Sequence, residues 1–421
     1  MKRIIFISLI LAFTQSMRAA YLLIPMDDKQ KDHLKAYGIT YWVIEQGGEA
    51  QWLLNYRYGS FLFKYDKRYE NECLTRGVTF ETIPDARAAA ILEEISAPDV
   101  NMDAVKLEKP PKIAVYSPPD KQPWDDAVTL VLTYAEIPYH VLYDEKIMQD
   151  SLVRYDWIHL HHEDFTGQYG RFWIQFHDAP WYKQQVATDE AMAAKLGFKK
   201  VSEMKLAVAK KVRDFVAGGG FMFAMCSATD SYDIALAAEG VDICDRMYDG
   251  DGFDPNMNSK LNYDNCFAFT NFELKTNSTE YEFSDIDTYE TRTSKGVTES
   301  NDYFSLFEFS AKWDPVPTML CQDHANLIKG FWGQTTGFDK SKIKPGVLIM
   351  GENKAINEAR YIHGDFGKGM WTFYGGHDPE DYQHRVDEPP TDLSLYPNSA
   401  GYRLILNNVL FPAAKKKHQK T

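Results

Sequence analysis

Beyond the first twenty residues, no apolar run approaches the roughly 20 residues needed to cross a bilayer, so the mature chain is expected to have no membrane span. Positive charge is also scarce. The 46 Lys and Arg are outnumbered by 60 Asp and Glu, giving a formal charge of −14, and the one basic cluster is the tail Lys415-Lys416-Lys417. Phosphate backbones are held by clustered cations, so this balance argues against nucleic acid as a partner, and the tail reads as solvated. No repeat or low-complexity tract is visible, which sets aside solenoids and disordered chains. There are only five cysteines, Cys73, Cys226, Cys244, Cys266 and Cys321. An odd number leaves one thiol unpaired whatever disulfides form, and their pairing is open.

What is present begins with Lys2 and Arg3, an apolar run over 4–13, and the small residues Ala19 and Ala20. This is the pattern of a secretory signal over residues 1–19, and it implies export to the periplasm or beyond. With 44% hydrophobic and 14% aromatic residues, the remainder has material for a large core.

Residues 20–108 read as a small α/β module, with a strand at 21–25, an aromatic-rich stretch at 39–63 and a helix at 87–95. Lys109-Pro110-Pro111 closes it as a linker. From 109 to 421 the rhythm changes. Strands are expected at 113–116, 139–143, 156–162, 221–226 and 346–350, and a hairpin at 361–374. Helices are expected at 125–135, at 203–217 capped by Ser202, after Cys226, and at 402–410. Alternating strands and helices define an α/β fold with an open, mostly parallel sheet between helices. Residues 163–200 and 245–310 break the rhythm and read as insertions over one edge.

Cys226 sits where the apolar run from Phe221 meets the polar helix start Ser227-Ala228-Thr229-Asp230. Gly218-Gly219-Gly220 precedes the strand, and Ala224 and Ala228 flank the thiol as small-x-Cys-x-small, a pattern that permits a sharp strand-to-helix turn. Ser227 and Asp230 have the spacing of a capping box, which puts Cys226 at a helix amino terminus, where the thiolate is favoured. The plain alternative is a small apolar residue ending a core strand. For a base, Gly375-Gly376-His377-Asp378-Pro379-Glu380 offers His377, with Glu380 or Asp378 to orient it. The same residues also suit an ordinary surface turn.

Together these motifs resemble the class I glutamine amidotransferase-like superfamily, and the segment from Gly367 to His377 is similar to its ThuA-like branch. The likeness spans roughly residues 110–412. It implies a flavodoxin-like frame with Cys226 as nucleophile, His377 as base and Glu380 as acid. Glutaminase members carry Gly on both sides of the elbow and a His-to-Glu spacing one residue shorter than that found here. The whole chain also resembles secreted bacterial proteins labelled asparagine synthetase B, although it has neither the amino-terminal Cys nor the S-G-G-x-D-S loop of such a synthetase.

His159-Leu160-His161-His162-Glu163-Asp164 ends a strand, and alternation puts His159 and His161 on one face. Two such imidazoles can chelate Zn²⁺ with Glu163 or Asp164 as third ligand. The alternative is a polar strand end without metal. His177 is a further candidate for the cleft. Asp249, Asp251 and Asp254 resemble a calcium loop without its closing Glu and read as solvated. Trp157, Trp173, Trp181 and Tyr182 suit either sugar stacking or the core.

The expectation is an exported Cys-dependent hydrolase or amidotransferase-like enzyme acting on an amide or related small molecule, with no cofactor required. The alternatives are a non-catalytic carbohydrate-binding protein and a metal-dependent hydrolase built on His159 and His161. Oligomeric state is left open.

Overall fold

The computed structural model describes residues 20–119 and 122–415, so the expected signal segment and most of the lysine tail lie outside the described residues. The first sheet is antiparallel. It contains β1 (Tyr21–Ile24), β2 (Ala50–Leu54), β3 (Ser60–Lys64), β4 (Glu81–Ile83) and β5 (Asp103–Leu107), in the order β4-β1-β3-β2-β5.

The second sheet has ten strands: β6 (Ile113–Tyr116), β7 (His140–Leu142), β8 (Trp157–Leu160), β9 (Phe221–Met225), β10 (Tyr303–Leu306), β11 (Leu327–Lys329), β12 (Phe338–Asp339), β13 (Leu348–Asn353), β14 (Glu358–Phe366) and β15 (Gly369–Tyr374). Their order is β11-β10-β13-β14-β15-β9-β8-β6-β7, with β12 beside β14. Neighbours from β15 to β7 run parallel and the rest antiparallel. The protein is therefore α/β with a mixed sheet that is parallel over half its width.

The pleat divides the parallel strands between two hydrophobic clusters. Ile113, Val115, Trp157, Phe223 and Met225 belong to one, with Val128 and Leu132 of the helix Ala127–Tyr134 and Leu404 and Leu406 of the helix Ala400–Leu410. Ala114, Tyr116, Ile158, Leu160, Met222 and Ala224 belong to the other, with Val208 and Val212 of the helix Val201–Ala217. The first cluster continues into the five-stranded sheet through Leu34, Tyr37 and Ile44 of the helix His33–Glu45. Gly38 permits this approach, because a Cβ there would stand 1.8 Å from the Ala135 carbonyl oxygen.

Local chemistry explains the shifted boundaries. The aromatic stretch 39–63 divides between the end of the helix His33–Glu45 and two strands. The long helix begins at Val201, with Lys200 in the cap position instead of Ser202. The Glu203 carboxylate accepts the N–H groups of Lys199 and Lys200 there. β13 begins two residues later than expected because Gly346, at φ 92°, belongs to the preceding turn.

Candidate active site

β9 ends at Met225, and Cys226 takes φ 52° and ψ −140° before the helix Ser227–Ala237. A side chain at positive φ is strained, so its surroundings must enforce the turn. Thr229 Oγ1 donates to the Cys226 carbonyl at 2.6 Å, and the Ala228 N–H donates to the His161 carbonyl at 2.8 Å. The expected capping box does not form. Cys226 itself precedes the first helical turn, and Asp230 instead accepts from Thr335 Oγ1 at 2.7 Å and the Ser231 N–H at 2.9 Å.

A loop far downstream, 331–336, meets the sulfur. The Gln334 N–H donates to Cys226 Sγ at 3.2 Å, and the Gln334 side-chain amide donates to the carbonyls of Gly170 at 2.7 Å and Tyr281 at 3.1 Å. Gly333 lets this loop close on His377, since a Cβ there would lie 2.8 Å from the backbone of Gly376 and His377.

His377 follows β15, and its N–H donates to the Trp332 carbonyl at 2.8 Å. Its ring stacks between His161 (centroids 4.5 Å apart) and His384 (4.8 Å). Asp125 Oδ1 lies 3.7 Å from His377 Nε2, an ion-pair separation, and 3.2 Å from His384 Nε2, while His384 Nδ1 lies 2.8 Å from Asp381. Burial disfavours the His377 imidazolium, but contact with Asp125 and Cys226 outweighs it and raises the ring to about 10. Burial likewise pushes the Cys226 thiol up, yet His377 and the amides of Gln334 and Thr335 reverse this and lower it below the ordinary range. The thiols of Cys73, Cys244, Cys266 and Cys321 are all raised by burial. All five cysteines are free, and Cys226 alone has a lowered thiol.

The carboxylate facing His377 is thus Asp125, not Glu380 or Asp378. The turn at Pro379 folds Asp378 back to accept the Glu380 N–H at 2.8 Å and Thr391 Oγ1 at 2.7 Å, and Glu380 is engaged with Ser399. Sequence reasoning missed Asp125 because Asp125-Asp126 reads as an ordinary helix start.

His159 and His161 do come together, and the carboxylate between them is Asp126. Its Oδ2 lies 3.3 Å from His159 Nε2 and 3.3 Å from His161 Nδ1, while its Oδ1 caps the helix through the Thr129 N–H at 2.8 Å. Glu163 is not part of this group. Its side chain is buried near Lys205, Asp189 and Asp144, and burial raises it to about 8. Asp164 is occupied by the N–H groups of Thr166, Gln168 and Gly170. Among the described residues, Asp126–His159–His161, Asp125–His377–His384 and His161–His162–His377 each have the spacing to hold a metal ion. Two carboxylates of the calcium-like loop, Asp249 and Asp251, instead face Lys200 Nζ at 2.9 and 2.5 Å, joined by Asp242 at 2.5 Å, and the third, Asp254, lies 3.3 Å from Lys260.

Cys226, His377 and His384 line a cavity of about 540 Å³. Trp124, Phe172, Tyr281, Tyr289 and Trp332 supply its aromatic lining, with Gln175 and Glu282 as polar groups. Both insertions contribute walls. The aromatic residues singled out from the sequence lie elsewhere: Trp157 is buried beneath His159, Tyr182 is buried, Trp181 packs on Trp124, and Trp173 stacks on His177 outside this cavity.

No protein-family model and no curated protein matches the chain. Among solved structures it is similar to Cytoplasmic Protein STM3548 from Salmonella typhimurium, at 9% identity over 72% of this chain and 100% of that one, with a TM-score of 0.35. It is also similar to Cytoplasmic Protein STM1381 from Salmonella typhimurium LT2, at 12% identity, 72% and 100% coverage and a TM-score of 0.35. A third likeness is to Gan42B, a GH42 beta-galactosidase from G. stearothermophilus, at 10% identity over 64% of this chain and 28% of that one, with a TM-score of 0.29.

Proposed function

We propose that this chain is an exported, cysteine-dependent acyl-transfer enzyme that hydrolyses an amide or related small molecule in the cavity at Cys226. The frame is of the class I glutamine amidotransferase-like type, ThuA-like in its last hairpin. Support comes from the parallel half of the large sheet. Renumbered in chain order, β7-β6-β8-β9-β15 becomes 2-1-3-4-5, the flavodoxin-like order, with Cys226 at the carboxyl end of its fourth strand.

The Cys226 sulfur, as thiolate, attacks the carbonyl carbon of the substrate. As the tetrahedral adduct collapses, the C–N bond breaks and His377 gives its proton to the departing amine, leaving a thioester on Cys226. His377 then takes a proton from water, whose oxygen attacks the thioester, and the sulfur leaves as thiolate beside the imidazolium, which releases the acid and restores the starting pair. Asp125 stabilises the imidazolium and fixes its orientation. The observation that carries this reading is the meeting at one cavity wall of Cys226, whose sulfur accepts the Gln334 N–H at 3.2 Å, and His377, whose Nε2 lies 3.7 Å from Asp125.

The test is amine release from a panel of primary carboxamides, beginning with glutamine. Turnover should fall at least about 10³-fold in Cys226→Ala; turnover that survives the substitution rejects the nucleophile. The aromatic lining supports a second reading, sugar binding without catalysis, in which Cys226→Ala leaves affinity for the sugar unchanged and no amide is cleaved.

A further inference from the structure

Behind the thiol and its base lies a second group with its own chemistry. His159 Nδ1 faces the Phe223 carbonyl at 3.2 Å, and His161 Nε2 faces the His377 carbonyl at 3.2 Å. A carbonyl only accepts, so each of these nitrogens carries the hydrogen, and in a neutral ring the other nitrogen is a bare lone pair. Those other nitrogens, His159 Nε2 and His161 Nδ1, are buried without a hydrogen-bond partner, and both point at Asp126 Oδ2. Three electron-pair donors converging in a buried space repel one another unless a cation joins them.

The two distances to Asp126 match those of a four-coordinate zinc ion, and all three ligand atoms lie within 4.8 Å of one another. Zinc bonds to imidazole nitrogen and carboxylate oxygen are about 2.0–2.2 Å long, which sets neighbouring ligand atoms of a tetrahedron about 3.3 Å apart. Asp126 Oδ2 lies 3.3 Å from each nitrogen. Hydrogen bonding of both outer ring nitrogens to backbone carbonyls is the arrangement that orients metal-bound histidines. Two imidazoles and one carboxylate form a borderline donor set suited to zinc.

We infer that Asp126, His159 and His161 form a binding site for one Zn²⁺ ion, with a fourth position left for water. The ion joins the end of β8 to the start of the helix Ala127–Tyr134. His161 in turn holds the His377 carbonyl through its ring and the Ala228 N–H through its own carbonyl. The site therefore braces the two segments that carry His377 and Cys226 and takes no part in bond breaking.

The purified full chain, incubated with ZnSO₄ and dialysed, is assayed for bound zinc by mass spectrometry. About one zinc per chain is expected, with a fall in Tm when a chelator removes it. Asp126→Asn and His159→Gln should lose the ion, whereas Asp125→Asn and Cys226→Ala should keep it. Zinc retained by Cys226→Ala makes this result independent of whether the chain cleaves amides. A folded wild-type chain without zinc overturns the inference. Retention in Asp126→Asn, or loss in Asp125→Asn, which would assign the ion to the neighbouring Asp125–His377–His384 group, overturns it as well. If Asp126→Asn does not fold, the visible spectrum of the Co²⁺-loaded wild-type chain decides: intense four-coordinate bands support the site, and weak six-coordinate bands refute it.

Discussion

At the scale of single residues, the proposed chemistry rests on charge held in a dry place. With its thiol lowered, Cys226 should react with iodoacetamide at pH values where an ordinary thiol is silent. Asp125→Asn should move that profile toward higher pH, measured as alkylation rate against pH. His377 also couples pH to stability. Its ring stays protonated in the fold up to about 10, whereas the ordinary value is 6.5. Its contribution is fully present below 6.5 and is lost as pH climbs through 10, so urea midpoints should decline across that window and decline less in Asp125→Asn. Glu163 has the sign of a buried acid, raised from 4.5 to about 8 by burial, so the fold holds a proton that the unfolded chain has released. Stability therefore falls between those values as pH rises, and Glu163→Gln should remove that slope in the same measurement. Cys226 and His377 were legible because each follows an apolar strand and precedes turn-forming residues. Asp125 and Asp126 were not, because a helix start looks the same whether or not histidines from another strand face it.

At the scale of elements, the parallel strands β6, β8, β9 and β15 were readable from continuous apolar runs, since both of their faces are largely buried, whereas the edge strand β7 leaves His140 and Val141 exposed. The antiparallel half was less so. β10, β11 and β12 are short, and β10 lies at the end of the long irregular stretch 245–310. One helix is held by a charge that hydropathy does not reveal. Lys205, on the helix Val201–Ala217, is almost fully buried, with Nζ 3.0 Å from Asp144 and 3.4 Å from Asp189. Lys205→Met leaves Asp144, which is fully buried, without its counter-charge and should cost about 3–5 kcal/mol in chemical denaturation. Removing an exposed pair such as Lys67 with Glu70 should change little.

At the scale of the whole molecule, one hydrophobic cluster runs from the five-stranded sheet, across the linker at Lys109, into the ten-stranded one. Such continuity arises between residues distant in sequence, and no local pattern announces it. Unfolding monitored by circular dichroism and by tryptophan fluorescence should give coincident transitions. Gly38→Ala forces the helix His33–Glu45 away from Ala135 and should cost about 1–3 kcal/mol while separating the two curves.

Gln334 has a consequence for how the cavity can change. Its backbone steadies the sulfur while its side chain staples Gly170 to Tyr281, one residue from each insertion. Widening the chamber to admit a bulkier guest would pull on that staple and so loosen the amide that holds the Cys226 sulfur. Chamber width and the setting of the thiol are thereby geared together, and a change in one would have to be matched by a change in the other.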